Sequence, residues 1–462
     1  MPDPKTMRGH SQESVAETLA RTISAIAEKD LPSAARNKCE ELLIDVIGLC
    51  VTARNEDYVK SALAGWEEQG PCTVIGHSAP ASAAAAAFIN GTAAHGEDFD
   101  DTFEGWPVHA GAVIVPAVLA ICEQHRAERP SALVGIAVGV ETLCRLSLVV
   151  PKAIHRAGFH PTAVLGAMAA AAGVGAALRL KPGQIVNALG IAGSMAGGII
   201  EYLAEGAWTK RLHPGWAAQS GLRAALLGRA NFVGPRTVFE GAHGLFHGFA
   251  HTSKGDYAAL LGDFGKRWVM ETLAFKPYPC GTMIHPYIDC ARRLAAKRIS
   301  ADDIQEMVCE TAEGIVHRLW EPLADKQRPP NGYAAKFSTP YCIAAAFTHG
   351  SIGLDAFADD RVNDPRVLAL AAKVRYKIDP HNPYPDNYTG HIRATLRDGT
   401  TIEERQPHLR GGAREPLTRR EIEEKFMGNA RHGGWPLDRA EAALDLARTL
   451  YRGPYDLSAL RG

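Results

Sequence analysis

Four stretches of this chain, residues 81–88, 162–178, 188–200 and 217–227, are unusually rich in alanine and glycine. Side chains this small let helices approach closely, so these stretches predict a compact core of many packed helices. Neighbouring segments agree. Ser14-Val-Ala-Glu17 is a capping box that opens an amphipathic helix through Glu28. Leu31-Pro32 restarts the chain, with proline near a first turn, and residues 39–53 follow with apolar residues at helical spacing.

The pattern changes after Lys276. Pro277, Pro279 and Gly281 punctuate the chain. Beyond them, residues 304–312, 374–378 and 391–396 have the short alternating look of strands. Asp398-Gly399 marks a hairpin turn before residues 401–404. Helical segments intervene at 338–347 and 365–372, and Thr418-Arg-Arg-Glu421 opens a helical C-terminus with a second capping box. The expected fold class is mainly α with an α+β part. Residues 1–275, completed by 417–462, form a large all-α domain, and residues 276–416 form a smaller α+β lid domain.

Bulk properties exclude several functions. A formal net charge of −1, with neither polybasic blocks nor acidic tails, gives no electrostatic pull toward nucleic acid or membrane. The nine cysteines are scattered, with no C-x-x-C pair, which fits a reducing cytoplasmic setting. Residues 1–14 are polar and predict no secretory signal. The apolar run at 110–122 is too short to span a bilayer. Residues 131–150 are interrupted by Glu141 and Arg145. Both read as core helices.

Chemistry concentrates at five junctions. Residues 90–102 carry His95, Glu97, Asp98, Asp100, Asp101 and Thr102, and residues 108–116 continue with His109 into an apolar run. Aspartate and threonine there also suit turns and helix caps. His109 stands at a predicted helix start, where the dipole disfavours imidazolium and leaves a neutral base or donor. Gly158-Phe-His-Pro-Thr162 repeats the design with His160. Lys210, Arg211 and His213 precede a helix expected from Trp216, and cations there conflict with the helix dipole unless an anion relieves them. Lys276 sits at the predicted domain junction, a preferred place for ligands. Ala335-Lys-Phe-Ser-Thr-Pro-Tyr341 adds Ser338 and Tyr341 from the lid.

No dinucleotide-binding glycine motif, P-loop, H-E-x-x-H or G-x-S-x-G elbow is present, and the His and Asp spacing matches no standard metal site. The expectation is an enzyme with no cofactor and no metal. Cations would hold a small anion, and His, Asp, Lys or Tyr would move a proton next to a carboxylate, with elimination, decarboxylation or reprotonation to follow.

The motifs Asn90-Gly…His95…Asp98-Phe-Asp-Asp-Thr102…His109-Ala-Gly, Gly158-Phe-His-Pro-Thr162, Thr209-Lys-Arg-Leu-His-Pro-Gly215, Phe275-Lys-Pro-Tyr-Pro-Cys280 and Ala335-Lys-Phe-Ser…Tyr341 together resemble the MmgE/PrpD family, as does Pro416-Leu-Thr…Ile422…Lys425-Phe426. The resemblance runs in order over nearly the whole chain. It implies an all-helical domain with an α+β lid, a homodimer, and action on a small anionic di- or tricarboxylate without an obligatory organic cofactor. Family members include 2-methylcitrate dehydratases, cis-aconitate decarboxylases and iminodisuccinate epimerases. By motif position, the implied site is Asp98, Thr102, His109, His160, Lys210, Lys276 and Tyr341. The decarboxylase pattern has a histidine shortly after the lysine of the Phe-Lys-Pro motif, where this chain has Gly281.

The expected activity is therefore that of a 2-methylcitrate dehydratase-like hydro-lyase. Epimerisation of an amino-dicarboxylate such as iminodisuccinate is the alternative, and decarboxylation of cis-aconitate ranks lower. A helical scaffold or binding protein that keeps the pocket is the alternative of a different class. His109 and His160 are expected as the acid–base pair, with Asp98 orienting or protonating. Lys210 and Lys276 would bind carboxylates and stabilise charge, and Thr102 and Tyr341 would add hydrogen bonds.

Overall fold

The computed structural model describes residues 12–104, 106, 108–252, 254–452 and 456–462. The reading of residues 1–14 as lacking a secretory signal falls mostly outside the described residues.

Ser14 caps Val15–Ala25 through the expected capping box with Glu17. Ser33–Ala53 follows as one continuous helix from a proline N-cap. Ala83–Gly96, Gly111–His125, Arg129–Val149, Pro161–Ala177, Pro182–Met195 and Thr209–Arg229 then build the helical body. Thr209–Arg229 packs against Ala83–Gly96, Pro161–Ala177 and Pro182–Met195. Two glycines show why small residues are needed there. A Cβ on Gly215 would stand 2.1 Å from the Phe88 carbonyl oxygen, and one on Gly91 would stand 2.7 Å from the Gly215 Cα. Any larger residue would push these two helices apart.

Buried apolar side chains fall into two main clusters. The larger runs from Ala16 to Phe275 and resumes at Leu417 through Leu460. The smaller runs from Tyr278 to Ala394. The returning helix Arg419–His432 opens with the Thr418–Glu421 capping box and packs on Ser33–Ala53.

The second cluster surrounds a four-stranded sheet. Its strands are β3 (Ile304–Thr311), β4 (Val374–Ile378), β5 (Gly390–Leu396) and β6 (Thr401–Gln406), in the order β4-β3-β5-β6. β3 runs parallel to β4 and antiparallel to β5, and β5 and β6 form the expected hairpin, with Gly399 at φ +86° in its turn. A two-residue ladder between β1 (Thr102–Phe103) and β2 (Leu273–Ala274) ties the acidic segment to the chain just before Lys276.

All nine cysteines are free and buried. One helical stretch among the described residues, Pro130–Val149, is long and apolar enough to cross a membrane, and here it is packed inside the protein.

Candidate active site

The segment after Ala83–Gly96 turns sharply because Asp98 adopts φ +55°, the left-handed region that aspartate tolerates better than most residues. Lys276 clamps that turn. Its Nζ donates to the Asp98 carbonyl oxygen at 2.8 Å and to Asp98 Oδ1 at 3.2 Å. Lys210 donates to the same Oδ1 at 2.8 Å. Burial alone would raise the Asp98 carboxyl, but the two lysines outweigh it and hold it well below the usual range. The Asp98 carboxylate in turn raises Lys210 despite its burial. Two cations share one carboxylate, which leaves net positive charge at this wall.

Each remaining acid of the segment has its own partner. Glu97 accepts from Lys336, whose Nζ also donates to the Glu97 carbonyl oxygen at 2.8 Å. Asp100 Oδ2 accepts from His95 Nδ1 at 2.7 Å. Asp101 caps Gly111–His125, accepting from the Ala110 and Gly111 amides at 3.1 and 2.9 Å.

His109 Nδ1 lies 2.8 Å from the Asp101 carbonyl oxygen and 3.5 Å from Asp100 Oδ2. A carbonyl only accepts, so Nδ1 carries the hydrogen and Nε2 holds the lone pair. His160, the N-cap of Pro161–Ala177, has its ring centroid 6.4 Å from that of His109. Its Nδ1 is 3.1 Å from His213 Nδ1, so one of the two donates to the other. Burial holds His109 down to about 3 and His213 to about 4, and pushes His160 well below its ordinary value. His95 is also lowered, chiefly by burial.

These shifts fix a sign for the pH dependence of stability. The unfolded histidines titrate near 6.5, whereas the folded ones stay neutral well below it. Between those limits the unfolded chain binds more protons, so stability is full above pH 6.5 and falls as pH drops. Each such histidine contributes up to about 1.4 kcal/mol per pH unit. The urea midpoint is expected to be lower at pH 5.5 than at pH 7.5, and His109→Gln should shrink the difference. An unchanged difference in that variant would contradict a neutral buried His109.

Asp98, His109, His160, Lys210 and Lys276 all line one cavity of about 1580 Å³, walled by residues of the helical body and of the sheet-bearing region. Two predicted residues do not reach it. Thr102 is buried in β1, where its backbone pairs with Ala274, and its hydroxyl has no partner among the described residues. Tyr341 lies in the first turn of Thr339–His349, and its hydroxyl donates to the Ala356 carbonyl oxygen at 2.5 Å within the smaller apolar cluster. The cavity receives Tyr333 and Tyr202 instead, from short helices that carry no motif.

A further correction concerns Lys210. It lies in the first turn of Thr209–Arg229, a helix that begins seven residues before Trp216 and contains Pro214. The anion that offsets lysine at this N-terminus is Asp98 of the same chain. Arg211 is sandwiched between Tyr58 and Tyr333, 4.4 and 4.7 Å from the ring centroids, and so joins segments far apart in sequence.

His95, Asp100 and His109 could hold a metal ion, since their ligand atoms lie within 4.8 Å of one another. As placed they form a hydrogen-bonded set. The 2.7 Å His95–Asp100 contact is shorter than the roughly 3.3 Å that separates ligand atoms around a tetrahedral zinc.

Both halves of the chain match models of known domains. Residues 17–258 match the MmgE/PrpD N-terminal domain and residues 278–449 the MmgE/PrpD C-terminal domain. The chain belongs to the MmgE/PrpD family. The second match includes the returning helices Arg419–His432 and Leu437–Thr449. Among MmgE/PrpD relatives, a cis-aconitate decarboxylase-like protein of Aspergillus oryzae is 27% identical, covering 89% of this chain and 89% of its own. The cis-aconitate decarboxylase of Mus musculus is 30% identical over 75% of this chain and 71% of its own. A mitochondrial 2-methylcitrate dehydratase of Yarrowia lipolytica is 30% identical over 31% of this chain and 28% of its own.

Proposed function

We propose that this MmgE/PrpD protein is a hydro-lyase that removes a proton from a carbon next to a carboxylate of a small polycarboxylate and expels water, as a 2-methylcitrate dehydratase does. The observation that carries the reading is the His109 Nε2 lone pair, set in a cavity whose inner wall also bears Lys210 and Lys276. In this reading a substrate carboxylate lies against the lysines, where it is stabilised as proton loss spreads negative charge onto it. An anion there also raises His109 from its low resting value toward the working range of a base. The C–H bond breaks toward His109, the C–O bond of the neighbouring carbon breaks, and a C=C bond forms. The same anion raises His160, paired with His213, so that it enters the complex protonated and gives that proton to the departing hydroxyl; the cycle closes when His109 loses and His160 regains a proton through solvent.

Decarboxylation is the second reading, favoured by the names of several relatives. Against it stands Gly281. This residue lines the cavity at the position of the decarboxylase histidine, and a Cβ there would meet only ordinary contacts of 3.5 Å or more. Space does not forbid a side chain, so its absence removes a functional group from the site.

The test is incubation with citrate-like hydroxy-tricarboxylates, cis-aconitate and amino-dicarboxylates in deuterated water, followed by NMR. Alkene carbon signals that grow as the signal of the hydroxyl-bearing carbon disappears, with every carbon retained, are the expected result. Carbon-bound deuterium without net product would point to epimerisation, and carbon dioxide release to decarboxylation. His109→Gln is expected to lower exchange and turnover by about 10²–10⁴-fold, the usual range for a lost general base. Full turnover in that variant would remove His109 from the mechanism.

A further inference from the structure

The lysines at Asp98 account for one end of the cavity. Elsewhere its wall carries Lys152, Arg156 and Arg318, none with a carboxylate within ion-pair distance among the described residues. Lys152 rests on aromatic rings, 5.0 Å from the Trp106 centroid and 6.0 Å from that of Tyr384. Arg156 is exposed. Arg318 differs from both. It is half-buried on the lid helix Glu313–Leu319, and its Nε is fully buried with no hydrogen-bond partner. A buried N–H without an acceptor is costly, and a half-exposed guanidinium with no carboxylate partner is free to take one from a ligand.

Arg318 shares the cavity with Lys210, Lys276, His160 and Tyr202. The Tyr202 ring centroid is 6.3 Å from that of His160, and Tyr202 is held electrostatically by both Lys210 and Arg318, in keeping with one ligand reaching both cations.

We infer that Arg318 is a specificity-determining residue that binds a second carboxylate of the substrate, apart from the one held by Lys210 and Lys276. The planar guanidinium suits a carboxylate. The site thereby selects acids with carboxylates at both ends over monocarboxylates. Because Arg318 belongs to the lid and the inner lysines to the body and the junction, one substrate bridges the two. This inference rests on the polycarboxylate reading above.

The experiment is titration calorimetry with tricarballylate, a tricarboxylate that has no hydroxyl to lose, and with isobutyrate as the monocarboxylate. Wild type, Arg318→Gln and Arg318→Lys are compared. The expected result is that Arg318→Gln weakens tricarballylate binding by about tenfold or more, leaves isobutyrate binding unchanged, and is partly rescued by Arg318→Lys. Wild-type affinity for tricarballylate in Arg318→Gln would overturn the assignment while leaving the proposed function intact. Failure of the wild type to bind either acid, with no carbon-bound exchange on any polycarboxylate, would overturn both.

Discussion

Lys210→Met is expected to lower turnover by on the order of 10²–10³-fold, the range seen when one preorganised charge-stabilising group is removed. The argument is a count of charges at the inner wall. Lys210 and Lys276 both reach Asp98 Oδ1, at 2.8 and 3.2 Å. One carboxylate neutralises one of them, and the surplus charge is what a substrate carboxylate meets. Without Lys210 the wall is neutral. Substrate is then held more weakly, and the charge that develops on proton loss has no compensation. Stability should suffer less, by about 1–2 kcal/mol, because Asp98 keeps both hydrogen bonds from Lys276. Lys276→Met differs in kind, since it also releases the Asp98 carbonyl and with it the left-handed turn. Steady-state rates on the acid identified in deuterated water, together with urea denaturation, separate the two effects. Wild-type kcat/KM in Lys210→Met would defeat the charge-count argument.

Local signals were the easiest to read from the sequence. Ser14–Glu17 and Thr418–Glu421 are capping boxes because both partners lie within one turn, and the structure contains both. The β5–β6 hairpin was legible because Asp-Gly suits its turn. The site was legible in composition but not in geometry. Lys210 and Lys276 lie 112 and 178 residues from Asp98, so only the fold brings them together. The dipole conflict at Lys210 calls for an anion, and where a bound ligand was the expectation a protein carboxylate, Asp98, supplies it. Thr102 and Tyr341 show another limit. A motif marks a position, whereas side-chain direction is set by the β1–β2 ladder in one case and by the Ala356 carbonyl in the other. Tyr202, Tyr333 and Arg318 sit on short helices with no recurrent pattern, and no local signal could have singled them out.

The largest loss of stability is expected from Glu141→Ala. Glu141 and Arg145 interrupt an otherwise apolar helix, Arg129–Val149, and both are buried. The Glu141 carboxylate accepts from Arg145 Nε at 2.5 Å and from the Val269 and Met270 amides at 3.1 and 2.9 Å. Arg145 also donates to the Ala259 and Arg267 carbonyl oxygens at 2.9 and 2.7 Å and pairs with Asp263. Together they fasten the segment 259–270 to the helix interior. Alanine at 141 leaves two amides and part of a guanidinium without acceptors in a region closed to water. Breaking one partner of a buried pair costs about 3–5 kcal/mol, a large share of the roughly 5–15 kcal/mol that separates folded from unfolded chains. The double variant Glu141→Leu/Arg145→Met removes both charges and should recover part of that loss. It cannot recover all of it, because the Val269 and Met270 amides stay unpaired. Urea midpoints of wild type, single and double variants form the cycle that measures this coupling. A single variant within about 1 kcal/mol of wild type would mean that water reaches the pair. Leu146, Ser147 and Val150, near the end of the same helix, line the cavity. Loosening this anchor should therefore also appear as weaker polycarboxylate binding at temperatures where the chain is still folded.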